Sequence, residues 1–316
     1  MTTSAIHTQN LSRRFGRTVA LDGVGLDVTE GAIYALVGAN GAGKTTLIKV
    51  LMNIFRPSTG TAQVLGIDSR KVAGKAFQNI GYVSENQEMP SWMKVGEMLA
   101  YYRSFYPQWD RPLEQQLIRQ FELPLDRKIK HLSRGMRMKA AFASSLAYRP
   151  RLIILDEPFS GLDPLVRDEL IEGLIDRAPD TSVFLSSHDL DEIEGFSSHV
   201  GFLREGRLLF SEELSMLTAR FREVTVTLEA EARTPANPPP AWLQVEAADH
   251  VVRFVHSRFD EAATARELAE FFSGTRSIEL NAMSLRSIFL AIARASRGTR
   301  TAREAETSAE ATEARA

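Results

Sequence analysis

Residues 38–45 read GANGAGKT, a spacing of glycines, lysine and threonine that can wrap a chain of phosphates. Gly38, Gly41 and Gly43 carry no Cβ, so the backbone around Asn40 can close on phosphate oxygens and aim its N–H groups inward. Lys44 can reach the terminal phosphates as a point charge. The hydroxyl of Thr45, followed by Thr46, is suited to the Mg2+ that travels with a nucleoside triphosphate such as ATP. A second group lies far downstream, where the apolar run Leu152-Ile153-Ile154-Leu155 ends in Asp156-Glu157. Two carboxylates at the carboxyl end of a buried strand suit two tasks: Asp156 orienting Mg2+ or its waters, Glu157 accepting the proton of an attacking water. His188, after Ser186-Ser187, can donate to a terminal phosphate and hold Glu157 in place.

Positioning these groups requires a strand before each. Ile33 to Val37, Leu152 to Leu155 and Val183 to Leu185 are unbroken apolar runs, the pattern of parallel strands covered on both faces. Strand and helix patterns alternate through Phe210, which predicts an α/β layered domain over residues 1–210. A helix from Lys44 to about Asn53 follows the glycine loop and turns its positive end toward the phosphates. From Met93 to Tyr148 the strand signal stops, and Val95, Met98, Leu99, Tyr102 and Phe105 recur on one helical face. With Pro107, Pro112 and Pro124 as punctuation, this predicts a helical subdomain at about 88–148.

Past Phe210, Val224, Val226 and Leu228 alternate with polar residues, and Pro235 to Trp242 reads as a stiff connector. Val251 to Val255 and Ser277 to Leu280 predict strands, and Asp260 to Phe272 a helix. Ser284 is expected to cap a last helix bearing Leu285, Ile288, Phe289 and Ile292 on one face. Residues 211–297 thus predict a small α+β appendage. Residues 298–316 hold no large apolar side chain and predict disorder.

The 316 residues are 44% hydrophobic, enough for about two domains. A net charge of -2 gives no electrostatic case for nucleic acid as a partner. The absence of cysteine excludes disulfides, thiolate metal sites and cysteine nucleophiles. No segment approaches the roughly 18 apolar residues of a membrane span, so a soluble, cytosolic chain is expected.

The ordered set GANGAGKT, LSRGM at 132–136, LIILDEP, SGLD at 160–163 and His188 resembles the ATP-binding subunits of ABC transporters, over about Ile6 to Phe210. The resemblance implies the ABC-type P-loop NTPase fold, with ATP and Mg2+ as cofactors and ATP hydrolysis as the activity. It also implies a head-to-tail pair of ATP-binding subunits, each triphosphate lying between one subunit's glycine loop and the other's Ser133, Arg134 and Gly135. An integral membrane permease would be a separate chain, with this subunit on the cytoplasmic face of the membrane. The ending SIELNAMSLRSIFLAIAR is loosely similar to exporter-type subunits, which favours export. By the same resemblance Asp163 corresponds to the loop that communicates across the dimer, and Phe15 to the aromatic that stacks on adenine.

Each local assignment has a plainer counterpart. Ser133 can simply cap a helix, Asp163 can be an acidic turn residue before Pro164, and Phe15 can belong to the core. Trp92, Tyr101, Tyr102, Tyr106 and Trp109 fit a core, or a groove for a partner's helix. Two positions depart from the family pattern. Arg134 replaces a glycine, so its Cβ restricts phosphate approach or its guanidinium adds a contact to nucleotide or partner. Glu85 stands where a glutamine presents an oxygen to Mg2+, with Gln87 as the fallback. These departures leave two other readings open: a low-turnover regulatory partner, or a soluble ATPase acting on ribosomes or DNA. Neither a second core nor a long coiled coil is present to favour the latter.

Overall fold

The computed structural model describes residues 3–177 and 180–295, so the predicted disordered tail at 298–316 lies outside the described residues. The chain divides into two compact units, one up to Glu213 and one from Leu214 onward.

In the first unit β1 (Ser4–Phe15), β2 (Thr18–Thr29), β4 (Thr59–Val64) and β5 (Ile67–Asp68) form an antiparallel sheet in the order β2-β1-β4-β5. This layer was absent from the sequence expectations. The second layer is a six-stranded sheet of β3 (Ile33–Val37), β6 (Ile80–Ser84), β7 (Leu152–Asp156), β8 (Ser182–Ser187), β9 (His199–Arg204) and β10 (Arg207–Glu213), in the order β10-β9-β3-β8-β7-β6. All its pairings are parallel except that of β10 with β9. Every residue of β3, β7 and β8 is buried, which is why each reads as a continuous apolar run. Helix α1 (Lys44–Leu51) shares one core with both sheets: Leu47, Ile48 and Leu51 pack with Ile6, Leu21 and Val24 and with Leu36, Ile154 and Phe184.

Register decides where the chemistry can sit. Val37 pairs with Ser187, Asp156 with Ser186, and Ser84 with Asp156, so β3, β8, β7 and β6 end at one edge of the sheet. The segments that leave that edge begin with Gly38, His188, Glu157 and Glu85. This is the carboxyl edge where open parallel sheets hold ligands.

Between β6 and β7 lie α2 (Val95–Arg103), α3 (Arg111–Gln120) and α4 (Arg134–Leu146), without a strand among them. Pro112 sits in the first turn of α3, where its missing N–H costs nothing. Val95, Met98 and Leu99 are buried as expected, but Phe105, expected on the same face, is 55% exposed because α2 ends at Arg103. Helix α5 (Pro164–Ile175) follows β7.

The second unit begins with α6 (Leu214–Arg220) and contains β11 (Arg222–Leu228), β12 (Trp242–Ala248), β13 (Val251–His256) and β14 (Thr275–Ala282), antiparallel in the order β12-β13-β11-β14. Helix α7 (Glu261–Phe271) is capped by the Asp260 carboxylate, which accepts from the Ala263 N–H at 2.9 Å. A last helix, α8 (285–295), has Ser284 at its start accepting from the Ser287 N–H at 3.3 Å. The stiff connector ends sooner than the sequence suggests, since Trp242 opens β12 and lies in the core, stacked on Phe254 at 4.0 Å and on Phe272 at 5.8 Å.

Candidate functional site

The glycine loop is shaped by approaches that a side chain would block. A Cβ on Gly38 would lie 2.2 Å from the Leu203 carbonyl oxygen. Gly43, at φ +110, would bring one within 2.5 Å of the Ala20 oxygen. Gly43 is also the N-cap of α1 and offers no side chain to the first helical N–H groups, which leaves the positive end of the helix facing the loop. Gly38 is buried, whereas Asn40 and Gly41 are exposed and Thr46 is half-buried one position into the helix beyond Thr45. Lys44 is only 5% exposed and spends its three donors on the Gly38 oxygen (2.6 Å), the Ala39 oxygen (3.3 Å) and Glu157 Oε1 (3.0 Å).

The carboxylates at the end of β7 differ in partners. Asp156 is buried, and its Oδ1 accepts from Thr45 Oγ1 at 3.0 Å and Ser186 Oγ at 2.8 Å. Glu157 has φ +51, unusual for a residue with a side chain, and its N–H donates to Ser186 Oγ at 3.0 Å. That backbone turn aims the side chain between two nitrogens, with Oε1 on Lys44 and Oε2 on His188 Nδ1 at 2.7 Å. The hydrogen bond to Glu157 holds the His188 pKa above the ordinary imidazole value, against a smaller opposing effect of burial. Ser187 Oγ bonds Glu192 at 2.9 Å, and the loss of solvent around Glu192 raises that carboxyl's pKa.

A magnesium ion prefers a few protein oxygens and completes its shell with phosphate and water. Thr45 and Asp156, hydroxyl against carboxylate at 3.0 Å, fit that requirement; no group of three or more His, Cys, Asp or Glu suited to a metal occurs among the described residues. Glu85 presents its Oε1 to Arg134 at 2.6 Å and to Ser160 Oγ at 3.2 Å. Gln87 is tied to its own turn, its Oε1 accepting from the Ser84 N–H at 3.4 Å.

Ser133 is the N-cap of α4, accepting from the Met136 N–H at 3.2 Å, and Asp163 is the N-cap of α5, accepting from Leu165 at 3.0 Å. A Cβ on Gly135 would meet the Val166 side chain at 3.1 Å, so the first turns of these two helices lie against each other. Lys139 and Glu169 join the same helices by an ion pair. Phe15 is 38% exposed, packed edge-on to Phe55 at 5.2 Å and under the Arg13 guanidinium at 4.5 Å, which is not the environment of a core phenylalanine.

The structure therefore gathers Gly38 to Thr45, Asp156, Glu157 and His188 into one cluster and Glu85, Arg134 and Ser160 into a second. The two are joined through the backbone, where the Glu85 N–H donates to the Asp156 carbonyl oxygen at 3.0 Å. Sequence reasoning passed over Ser186, the hydroxyl that serves both acids; its signal was a pair of serines directly after the apolar run Val183 to Leu185.

The profile of the family described as ABC transporter matches residues 21–160. The ABC transporter ATP-binding protein YtrB of Bacillus subtilis is 28% identical over 72% of this chain and 78% of its own length. The bacitracin transport ATP-binding protein BcrA of Enterococcus faecalis is 30% identical over 70% of this chain and 73% of its own. Among solved structures, one of the ATP-binding subunit of an ABC transporter is 26% identical, covers 68% of this chain and 92% of its own, and superposes with a TM-score of 0.63. An α/β layered domain, a glycine loop with a buried lysine, and a glutamate held against a histidine agree with these likenesses, and the chain belongs to the ATP-binding, ATP-hydrolysing subunits of the ABC transporter family.

Proposed function

We propose that this subunit powers export through a separate membrane permease, working as a head-to-tail dimer on the cytoplasmic face of the membrane. The observation that carries the hydrolytic part is the position of Glu157 between Lys44 at 3.0 Å and His188 at 2.7 Å. A triphosphate drawn into the glycine loop competes for the Lys44 ammonium, and that releases Glu157 Oε1 to accept a proton from water. His188 keeps the other oxygen fixed while Oε1 acts. Thr45 and Asp156 would hold Mg2+, and Glu85 would offer a further oxygen; when bound, the ion would offset phosphate charge. The N–H groups of the loop around Asn40 and Gly41 and at the start of α1, with Thr46 beside them, cradle the phosphates, and Phe15, 38% exposed, offers its ring to the base.

Ser133 and Gly135, at the exposed start of α4, face the second subunit's nucleotide, and Asp163 at the adjoining start of α5 transmits its state. Among the described residues no helix is long and apolar enough to cross a membrane. The export direction rests on the loose similarity of residues 277–294 to exporter-type subunits.

Glu157→Gln tests this reading. The variant is expected to bind ATP, to lose at least roughly 100-fold in turnover and to sediment as a dimer with ATP. A variant that stays monomeric with ATP bound would sink the paired-subunit arrangement, and one that hydrolyses normally would remove Glu157 from the chemistry.

A further inference from the structure

The two positions that depart from the family pattern are bonded to each other across 49 residues of sequence. Arg134 Nη2 donates to Glu85 Oε1 at 2.6 Å. The same nitrogen donates to the Ser160 carbonyl, while Ser160 Oγ donates to Glu85 Oε1 at 3.2 Å. Gly161 makes room for this arrangement: it holds φ +61, and a Cβ there would lie 3.2 Å from Arg134 Nη1. Three segments meet at one guanidinium, namely the loop after β6, the first turn of α4 and the loop between β7 and α5.

The charge at this edge explains why a cation is useful there. The Glu85 N–H donates to the Asp156 backbone carbonyl, so the loop that carries Glu85 leaves the sheet beside the two acids that end β7. Glu157 is met by Lys44, and Asp156 by the neutral donors Thr45 and Ser186. Glu85 would add an uncompensated negative charge to an edge that receives a polyanion, and at a few ångströms such a charge changes affinity by roughly an order of magnitude. Arg134 cancels it. Both side chains are partly exposed, 43% and 32%, so the pair contributes little to the stability of the fold and acts on the site beside it.

We propose that Arg134 is a positioning residue for Glu85 within one chain: it fixes the carboxylate against Ser160 and neutralises it, so that nucleotide affinity depends on the pair together. The proposal rests on the reading of this edge as the ATP site.

The experiment compares the full-length wild type, Arg134→Ala, Glu85→Gln and the double variant. Three measurements are made: affinity for a fluorescent ATP analogue in EDTA, the kinetics of ATP hydrolysis (KM and kcat), and hydrogen exchange of the amides from Glu85 to Met89. Arg134→Ala is expected to weaken binding about tenfold, to raise KM more than it lowers kcat, and to accelerate exchange without nucleotide. Adding Glu85→Gln is expected to bring affinity back to within about threefold of wild type, because the charge that needed a partner is gone. A double variant as weak as Arg134→Ala, or exchange that is unchanged in Arg134→Ala, overturns the proposal. A wild type that binds no nucleotide would instead refute the ATP site, and the exchange comparison would still decide whether Arg134 holds Glu85.

Discussion

Glu157 accepts from two nitrogens of different chemistry, the Lys44 ammonium and the His188 imidazole. The His188 pKa is raised by its hydrogen bond to Glu157, so the imidazolium is bound more tightly in the folded chain than in the unfolded one. That contribution to stability is fully present below the ordinary histidine value of about 6.5 and is lost as pH rises through the raised value. An NMR titration of the His188 ring should give a midpoint above that of the same ring in Glu157→Gln. Equal midpoints would show that the 2.7 Å contact does not persist in solution. Ser186→Ala removes the hydroxyl that serves Asp156 and the Glu157 backbone together. It should cost about 1 to 3 kcal/mol in urea unfolding and lower kcat more than it raises KM, since it loosens the acids and not the loop.

Among the elements, the glycine loop makes the sharpest demand on sequence. Gly43→Ala forces a side chain into a left-handed position and against the Ala20 oxygen, and an unfolding free energy lowered by more than about 2 kcal/mol in a urea titration is expected. Strands β3, β7 and β8 were legible because burial on both faces leaves an apolar run that nothing interrupts. Strands β1 and β2 were not, because their pairing shifts register between Ser4 and Ile6, Thr8 and Leu11, and again before Arg14, and each shift breaks the alternation that marks a one-sided strand. β12 was hidden by the same device: Gln244 sits at φ +55, where the pairing slips between Leu243 and Glu246, directly after a proline run. The site fared better than the layer beneath it. Lys44, Asp156, Glu157 and His188 each follow or begin a motif of fixed order, whereas the Glu85–Arg134 bond joins positions whose identities gave no sign of each other.

At the scale of the molecule, two units with separate cores make stability a local property. Trp242→Ala empties the aromatic stack with Phe254 and Phe272 and is expected to cost about 3 to 5 kcal/mol. Calorimetry should then show a transition of the second unit moving to lower temperature while that of the first stays in place; a single transition that moves as a whole would contradict the division. The common edge of β3, β8, β7 and β6 has a consequence for how this chain can vary. Deleting one residue inside any of those strands retracts its catalytic end by about 3.3 Å and turns it to the opposite face of the sheet. Lengthening the chain at the other ends of the same strands shifts no catalytic group. Inherited insertions and deletions should therefore accumulate before these strands and be purged within them, a bias that a random indel library selected for ATP turnover would expose.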